Sequence, residues 1–194
     1  MKILIALCLV TSWLSAADGI GVTRIARWKD DRVAAFVLMF DDSIPSHVKN
    51  VMPELQKRGL TGTFYINPGA GHYAGFRSAW EHDIPAAGME LGNHTMTHKG
   101  AASAEQAAVE IDACNQAIHT NTTGQPWPRL VSFAQPGGVP WKVSAEESAT
   151  LIAKYHLVAR PDFSGRGSTI AFKTTDDMVK YLDKAIAAGS TNGL

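Results

Sequence analysis

The sequence predicts an α/β protein built on a parallel sheet, and two observations carry that prediction. Short strand-like runs at 34–40, 61–66, 89–91, 130–134 and 156–160 alternate with helix signals, and strand–helix–strand units of this length join parallel strands. The first run, AAFVLMF, is continuously apolar, as a strand covered on both faces is. Such a sheet is either open or closed into a barrel.

The elements follow in order. After the first strand a helical stretch runs to Lys57-Arg58 and stops at Gly59, with Pro53 near its first turn. The second strand, TGTFYI, is ended by Asn67-Pro68-Gly69. A loop and short helix carry Trp80 to Gly88, and 89–91 form a short third strand. Ser103 to Gln106 reads as a capping box, opening a helix whose Ala107, Ile111, Cys114 and Ile118 share one face. Cys114 is therefore expected to be a buried filler without a chemical role. A loop at 121–128 leads to the fourth strand, and a second capping box, Ser144 to Glu147, opens a helix ending near Tyr155. The fifth strand is 156–160, and 168–172 is a candidate sixth. A last helix spans 175–188 and stops at Gly189. It ought to feed another strand, yet only 190–194 follow; either the sheet closes without that strand or the chain is truncated.

With 194 residues, 45% of them hydrophobic and 19% charged, the chain can form one packed domain. Lys plus Arg and Asp plus Glu both total 18, which gives no reason to expect nucleic-acid binding. Two cysteines exclude a disulfide scaffold and a Cys-rich zinc finger. Residues 1–17 read as a signal peptide: a basic start at Lys2, an apolar run at 3–10, and small residues at 15–17. The alternative is an uncleaved anchor. Cleavage would leave a domain of 18–194, secreted to a periplasmic or extracellular space, with one net negative charge and Cys114 as its only thiol. No later segment is apolar enough to span a membrane.

In parallel α/β folds reactive side chains gather at the C-terminal ends of strands, and three ends are unusual here. The first strand ends in Phe40-Asp41-Asp42-Ser43, two carboxylates that are costly to bury unless paired or bound to a metal. The third ends in Asn93-His94-Thr95-Met96-Thr97-His98; on one helical turn these two histidines would face the same way, at zinc-ligand spacing. The fourth ends in Ala134-Gln135-Pro136-Gly137-Gly138, where glycines leave backbone N–H groups open to a ligand. Each also has a plain structural reading as a turn, a helix cap or a coincidence of spacing. Together they make a three-ligand catalytic metal set, one carboxylate with two imidazoles, and leave a second carboxylate free as a base. His47, His119 and His156 are expected to be structural or surface residues. His72 and His82 are candidates to line a substrate cleft. Trp80, Trp127 and Trp141 either stack on sugars or cover the core.

These residues resemble the polysaccharide deacetylases of the NodB-homology type, carbohydrate esterase family four. The family's Thr-Phe-Asp-Asp motif is matched by Met39-Phe40-Asp41-Asp42, and its His-Ser/Thr-x-x-His motif by His94-Thr95-Met96-Thr97-His98. The lead-in Ala87 to Asn93 and the strand Gly62 to Ile66 are similar as well, and the likeness runs from about Arg32 to Gly189. The resemblance implies a distorted (β/α) barrel with fewer than eight strands. It implies that Asp42, His94 and His98 hold a divalent metal, usually zinc, that Asp41 is the general base, and that the Gly137 amide is an oxyanion donor. The substrate class it implies is an N- or O-acetylated carbohydrate polymer. Three departures stand out. Ala134 occupies the place where the family often carries an Arg that orients the base. Gly137 replaces a usual aromatic, which predicts a wider cleft. The family's Leu-x-His, source of its general acid, is absent, as a chain truncated before its last strand would be. These departures keep a second reading open, a secreted carbohydrate-binding pseudoenzyme.

Overall fold

The computed structural model describes residues 37–122, 130–155, 157–160 and 173–187. The expected signal segment, the start of the first apolar run, Trp127, His156, the candidate sixth strand and the end of the chain lie outside the described residues. The chain divides into two compact units, Phe36–Lys173 and a second joining Met1–Ala35 to Thr174–Leu194.

The first unit holds a five-stranded sheet of β1 (Met39–Phe40), β2 (Thr63–Ile66), β3 (Glu90–Asn93), β4 (Val131–Phe133) and β5 (Leu157–Ala159). The strands lie in sequence order and every neighbouring pair is parallel. This continuous winding is that of a (β/α) barrel, distorted and with fewer than eight strands among the described residues; a doubly wound sheet would reverse its order midway. All five strand ends therefore open on one edge. The strand expected at 89–91 is shifted to Glu90–Asn93, because the Met89 amide still bonds the Ile84 carbonyl of the preceding turn at 3.2 Å.

The helical stretch after β1 begins with a π-helical turn, His47–Val51, before α1 (Met52–Lys57). A similar π turn, Ala79–Asp83, precedes α3 (Ile84–Ala86), while α2 is the single turn Gly71–Ala74. Both π turns run into a proline, Pro53 or Pro85. Proline has no N–H to continue the i→i−4 ladder and its ring crowds that carbonyl, so the wider turn relieves the conflict.

Helices α4 (Ala104–Asn121) and α5 (Ala145–Lys154) start where their serines predict. Ser144 and Glu147 form a complete capping box. At α4 only half of it forms: Ser103 Oγ accepts from the Gln106 amide, while Gln106 Oε1 accepts from the Ala102 amide instead. Ala107, Ile111, Cys114 and Ile118 are buried as their spacing requires. They pack with Phe64, Ile66, Trp80, Ile84, Leu91 and Val131 into one core. Each large apolar side chain there contributes about 1.5–3 kcal/mol. Trp80 belongs to this core, stacked on Tyr73 at 6.0 Å, and so is no sugar platform. Trp141 is half-buried beside Phe133.

In the second unit the described residues form α6 (Thr175–Ala187). Thr174 caps it reciprocally with Asp177.

Candidate metal centre and its surroundings

The residue that follows each strand takes part in one network at the open edge. After β1 the chain turns sharply through Asp42 and Ser43, at φ 76° and 52°. After β3 it does so again at Thr95 and His98, at φ 67° and 57°. Left-handed backbone costs a side-chain-bearing residue about 1–3 kcal/mol and persists only where its surroundings over-determine it. Among the described residues these four are the non-glycine cases, and all lie at this edge. His94 and His98 are consequently not on a helical turn, as their spacing suggested. They come together because the loop doubles back, with ring centroids 5.0 Å apart.

The loop is held from three sides. Asn67, the residue after β2, donates through Nδ2 to the carbonyls of His94 and Thr95. Asn93 Oδ1 accepts from the Thr95 amide at 2.9 Å, and its Nδ2 donates to the Ile111 carbonyl of α4. Glu110, also on α4, accepts from both the amide and the hydroxyl of Thr97 at 2.8 Å. The β1 turn is tied in by Ser43, whose Oγ accepts from the Asn67 amide at 2.8 Å.

His94 is almost fully buried, and its Nδ1 lies 2.7 Å from the Ala134 carbonyl, the residue after β4. A carbonyl only accepts, so Nδ1 carries the proton and Nε2 presents its lone pair. Burial also pushes the His94 pKa below its ordinary value, which keeps the ring neutral, as a metal ligand must be. Asp42 Oδ1 lies 3.2 Å from His94 Nε2 and 3.0 Å from His98 Nε2. That oxygen is buried and accepts no hydrogen bond. A carboxylate oxygen facing a deprotonated imidazole nitrogen is a pair of electron donors with no proton between them. A cation relieves that conflict, and the donor atoms of the three residues lie within 4.8 Å of one another. The set therefore fits a divalent metal chemically: one carboxylate oxygen and two imidazole nitrogens, with further positions left for substrate and water.

Asp41 stands beside this set, its carboxylate one-third exposed and gripped by a group that sequence reasoning missed. Arg160, the residue after β5, donates from Nη1 to Asp41 Oδ1 at 2.7 Å and from Nη2 to Oδ2 at 2.9 Å. The signal was present, a lone Arg at the C-terminal end of a predicted parallel strand.

Gly137 lies on the exposed loop after β4, and a Cβ built there meets nothing within 4 Å, so this rim is open. Of the candidate cleft histidines, His72 reaches the site, its Nε2 2.6 Å from the Asp42 carbonyl. His82 is exposed on the Ala79–Asp83 turn. His47 is buried among Phe40, Phe64 and Trp80, a structural position as expected. His119 is buried on α4. Cys114 is fully buried, with its thiol pKa pushed up by that burial and its Sγ 3.4 Å from the Ile66 carbonyl.

Solved structures share this architecture. A family 4 carbohydrate esterase from Streptomyces lividans, solved in complex with acetate, is 26% identical with a TM-score of 0.52, over 64% of this chain and 60% of that one. A mutant of a family 4 pseudoenzyme from Bacillus anthracis, described as having restored enzymatic activity, is 19% identical with a TM-score of 0.51. The match to it spans 63% of this chain and 42% of that one, a likeness of fold alone. The match thus spans less than two thirds of the length of either protein. No curated protein matches it. The model of the family described as polysaccharide deacetylase matches residues 29–155, which include Asp41, Asp42, His94, His98 and the strands that present them, and the chain belongs to that family.

Proposed function

We propose that this chain is a metal-dependent deacetylase that removes acetyl groups from an N- or O-acetylated polysaccharide. The observation that carries the reading is the convergence of His94 and His98 on an unsatisfied oxygen of Asp42, with a second carboxylate, Asp41, next to it. Zinc is the metal this mixed nitrogen and oxygen set suits best. The signal peptide expected at residues 1–17 supports a reaction outside the cytoplasm, where polymeric carbohydrate is met.

A divalent cation bound there supplies Lewis acidity to the attacking water and to the acetyl oxygen. The chain's own groups do the rest. Asp42, His94 and His98 would hold the cation, with the His94 ring fixed by the Ala134 carbonyl. Asp41 accepts the proton that the water loses as it attacks the carbonyl carbon. The Gly137 N–H, on the open rim, donates to the oxygen on which negative charge develops; such a donor is worth about 3 kcal/mol. The leaving group needs a proton as well. An amine leaves poorly without a proton, and general acids contribute about 10²–10⁴-fold. Activated aryl acetates need none, so their cleavage reports on the metal ligands and Asp41 independently of that proton.

Elemental analysis and acetate release test the reading together. Asp42→Ala should lose both bound zinc and turnover; zinc retained by that variant would rule out the ligand assignment. Oligosaccharide binding without acetate release, under any metal and from any ester, would identify a binding pseudoenzyme instead.

A further inference from the structure

The Arg expected to orient the base is replaced by the methyl group of Ala134, yet Asp41 is not left loose. We infer that Arg160, arriving from the end of the next strand, is the positioning residue for Asp41 and takes over the role that position 134 cannot fill. This rests on the reading of Asp41 as the base, and it adds to that reading a residue outside both family motifs.

The geometry is that of an orienting group. Both Asp41 oxygens are bound by separate guanidinium nitrogens, at 2.7 and 2.9 Å. Two parallel bonds fix the plane of the carboxylate as well as its position, which a single bond cannot do. A carboxylate offers about four lone-pair directions. The fork uses one on each oxygen and leaves one on each, so the grip does not block a water from reaching Asp41.

Arg160 is itself immobilised. Its guanidinium lies 4.8 Å from the Tyr65 ring centroid, and its backbone N–H bonds the Phe133 carbonyl at 2.7 Å. Tyr65 is nearly fully buried on β2, with its ring against Gly92 of the adjacent strand. A Cβ at Gly92 would come within 2.6 Å of that ring. The missing side chain at Gly92 thus lets Tyr65 lie flat enough to carry the guanidinium. Three strands cooperate: β3 makes room, β2 supplies the ring and β5 supplies the charge. A salt bridge serving stability alone would not require a planar support, because partly exposed pairs contribute little.

The test uses the full chain loaded with zinc and 4-nitrophenyl acetate as probe. Arg160→Ala is expected to lower kcat about 10²-fold, the cost of misplacing a reacting group by roughly 1 Å, with KM and zinc content unchanged. Arg160→Lys should remain impaired, since an ammonium cannot form the fork. Added guanidinium ion should restore part of the activity of Arg160→Ala and none of that of Asp41→Asn. Crystal structures of the wild type and of Arg160→Lys give a readout independent of turnover. The Asp41 carboxylate should hold one orientation in the first and lose it in the second. Full activity in Arg160→Lys, or an unchanged Asp41 orientation in that variant, would overturn the proposal. Full activity in Asp41→Asn would instead overturn the reading of Asp41 as base, and the two failures are told apart by which variant stays active.

Discussion

The loops after β3 and β4 lie side by side at the same edge and are built in opposite ways. Residues 93–98 are buried or half-buried, strained at Thr95 and His98, and bonded to Asn67, Asn93 and Glu110. Residues 137–138 are exposed glycines, and a Cβ at either meets nothing. The two loops are joined further on, where the Ala101 amide bonds the Pro140 carbonyl at 2.9 Å and the Lys142 amide bonds the Ala101 carbonyl at 2.8 Å. The difference separates two tasks. On the proposed reading, metal ligands must be held in place before the metal arrives, and the 93–98 loop carries strain that the core offsets. The proposed polymer would need an open rim, and the glycines leave one by omitting side chains.

The largest effect is expected where the two loops meet. Gly100 has φ 82°, and a Cβ there would lie 2.1 Å from the Pro140 carbonyl oxygen. Gly100→Ala meets both backbone strain and a clash that no rotamer relieves, and should cost more than about 2 kcal/mol. Urea unfolding would show it as a lowered midpoint; an unchanged midpoint would mean that the loops are not coupled at this point.

Next comes the clamp on the ligand loop. Asn67→Ala leaves two carbonyls without their donor and should weaken zinc binding about 10–100-fold, as loss of a supporting partner does at other metal sites. Competition against a chelator of known affinity measures this. Affinity equal to wild type would show that Asn93 and Glu110 suffice.

A smaller effect concerns pH. His47, packed under the β1 turn against Phe40, has its pKa lowered from 6.5, chiefly by burial. A lowered folded pKa means that the unfolded chain binds the extra proton more readily. The neutral ring's contribution is fully present above 6.5 and is lost as pH falls below that value. His47→Phe should therefore lose less stability than wild type between pH 7.5 and 5.5. Parallel losses in the two proteins would assign the acid sensitivity to other groups, among them His94, whose pKa is lowered as well.

The smallest effect is expected on the open rim. Gly137→Ala keeps the N–H and fills empty space, so stability should stay within about 0.5 kcal/mol and aryl acetate turnover should be little changed. A large loss of either would mean that the rim is packed as tightly as its neighbour.

Much of this was legible from residue order alone. Alternation of strand and helix signals identified a parallel sheet, and the capping serines located α4 and α5, because these are short-range effects of backbone hydrogen bonding and burial. Asp41 and Asp42 stand out as costly carboxylates directly after an apolar strand, and His94 and His98 by their spacing; the structure brings donor atoms of Asp42, His94 and His98 within 4.8 Å of one another. The helical turn expected to pair the histidines was wrong: spacing alone cannot reveal that Asn67, Asn93 and Glu110 compensate for a left-handed loop. Nor could spacing find Arg160. Its partner lies 119 residues away, and a fork on a carboxylate depends on where β5 falls in the sheet and on a ring and a glycine from two other strands. Local sequence determined which residues are exceptional; only the tertiary packing decided which of them meet, because contacts across a sheet depend on strand order and register.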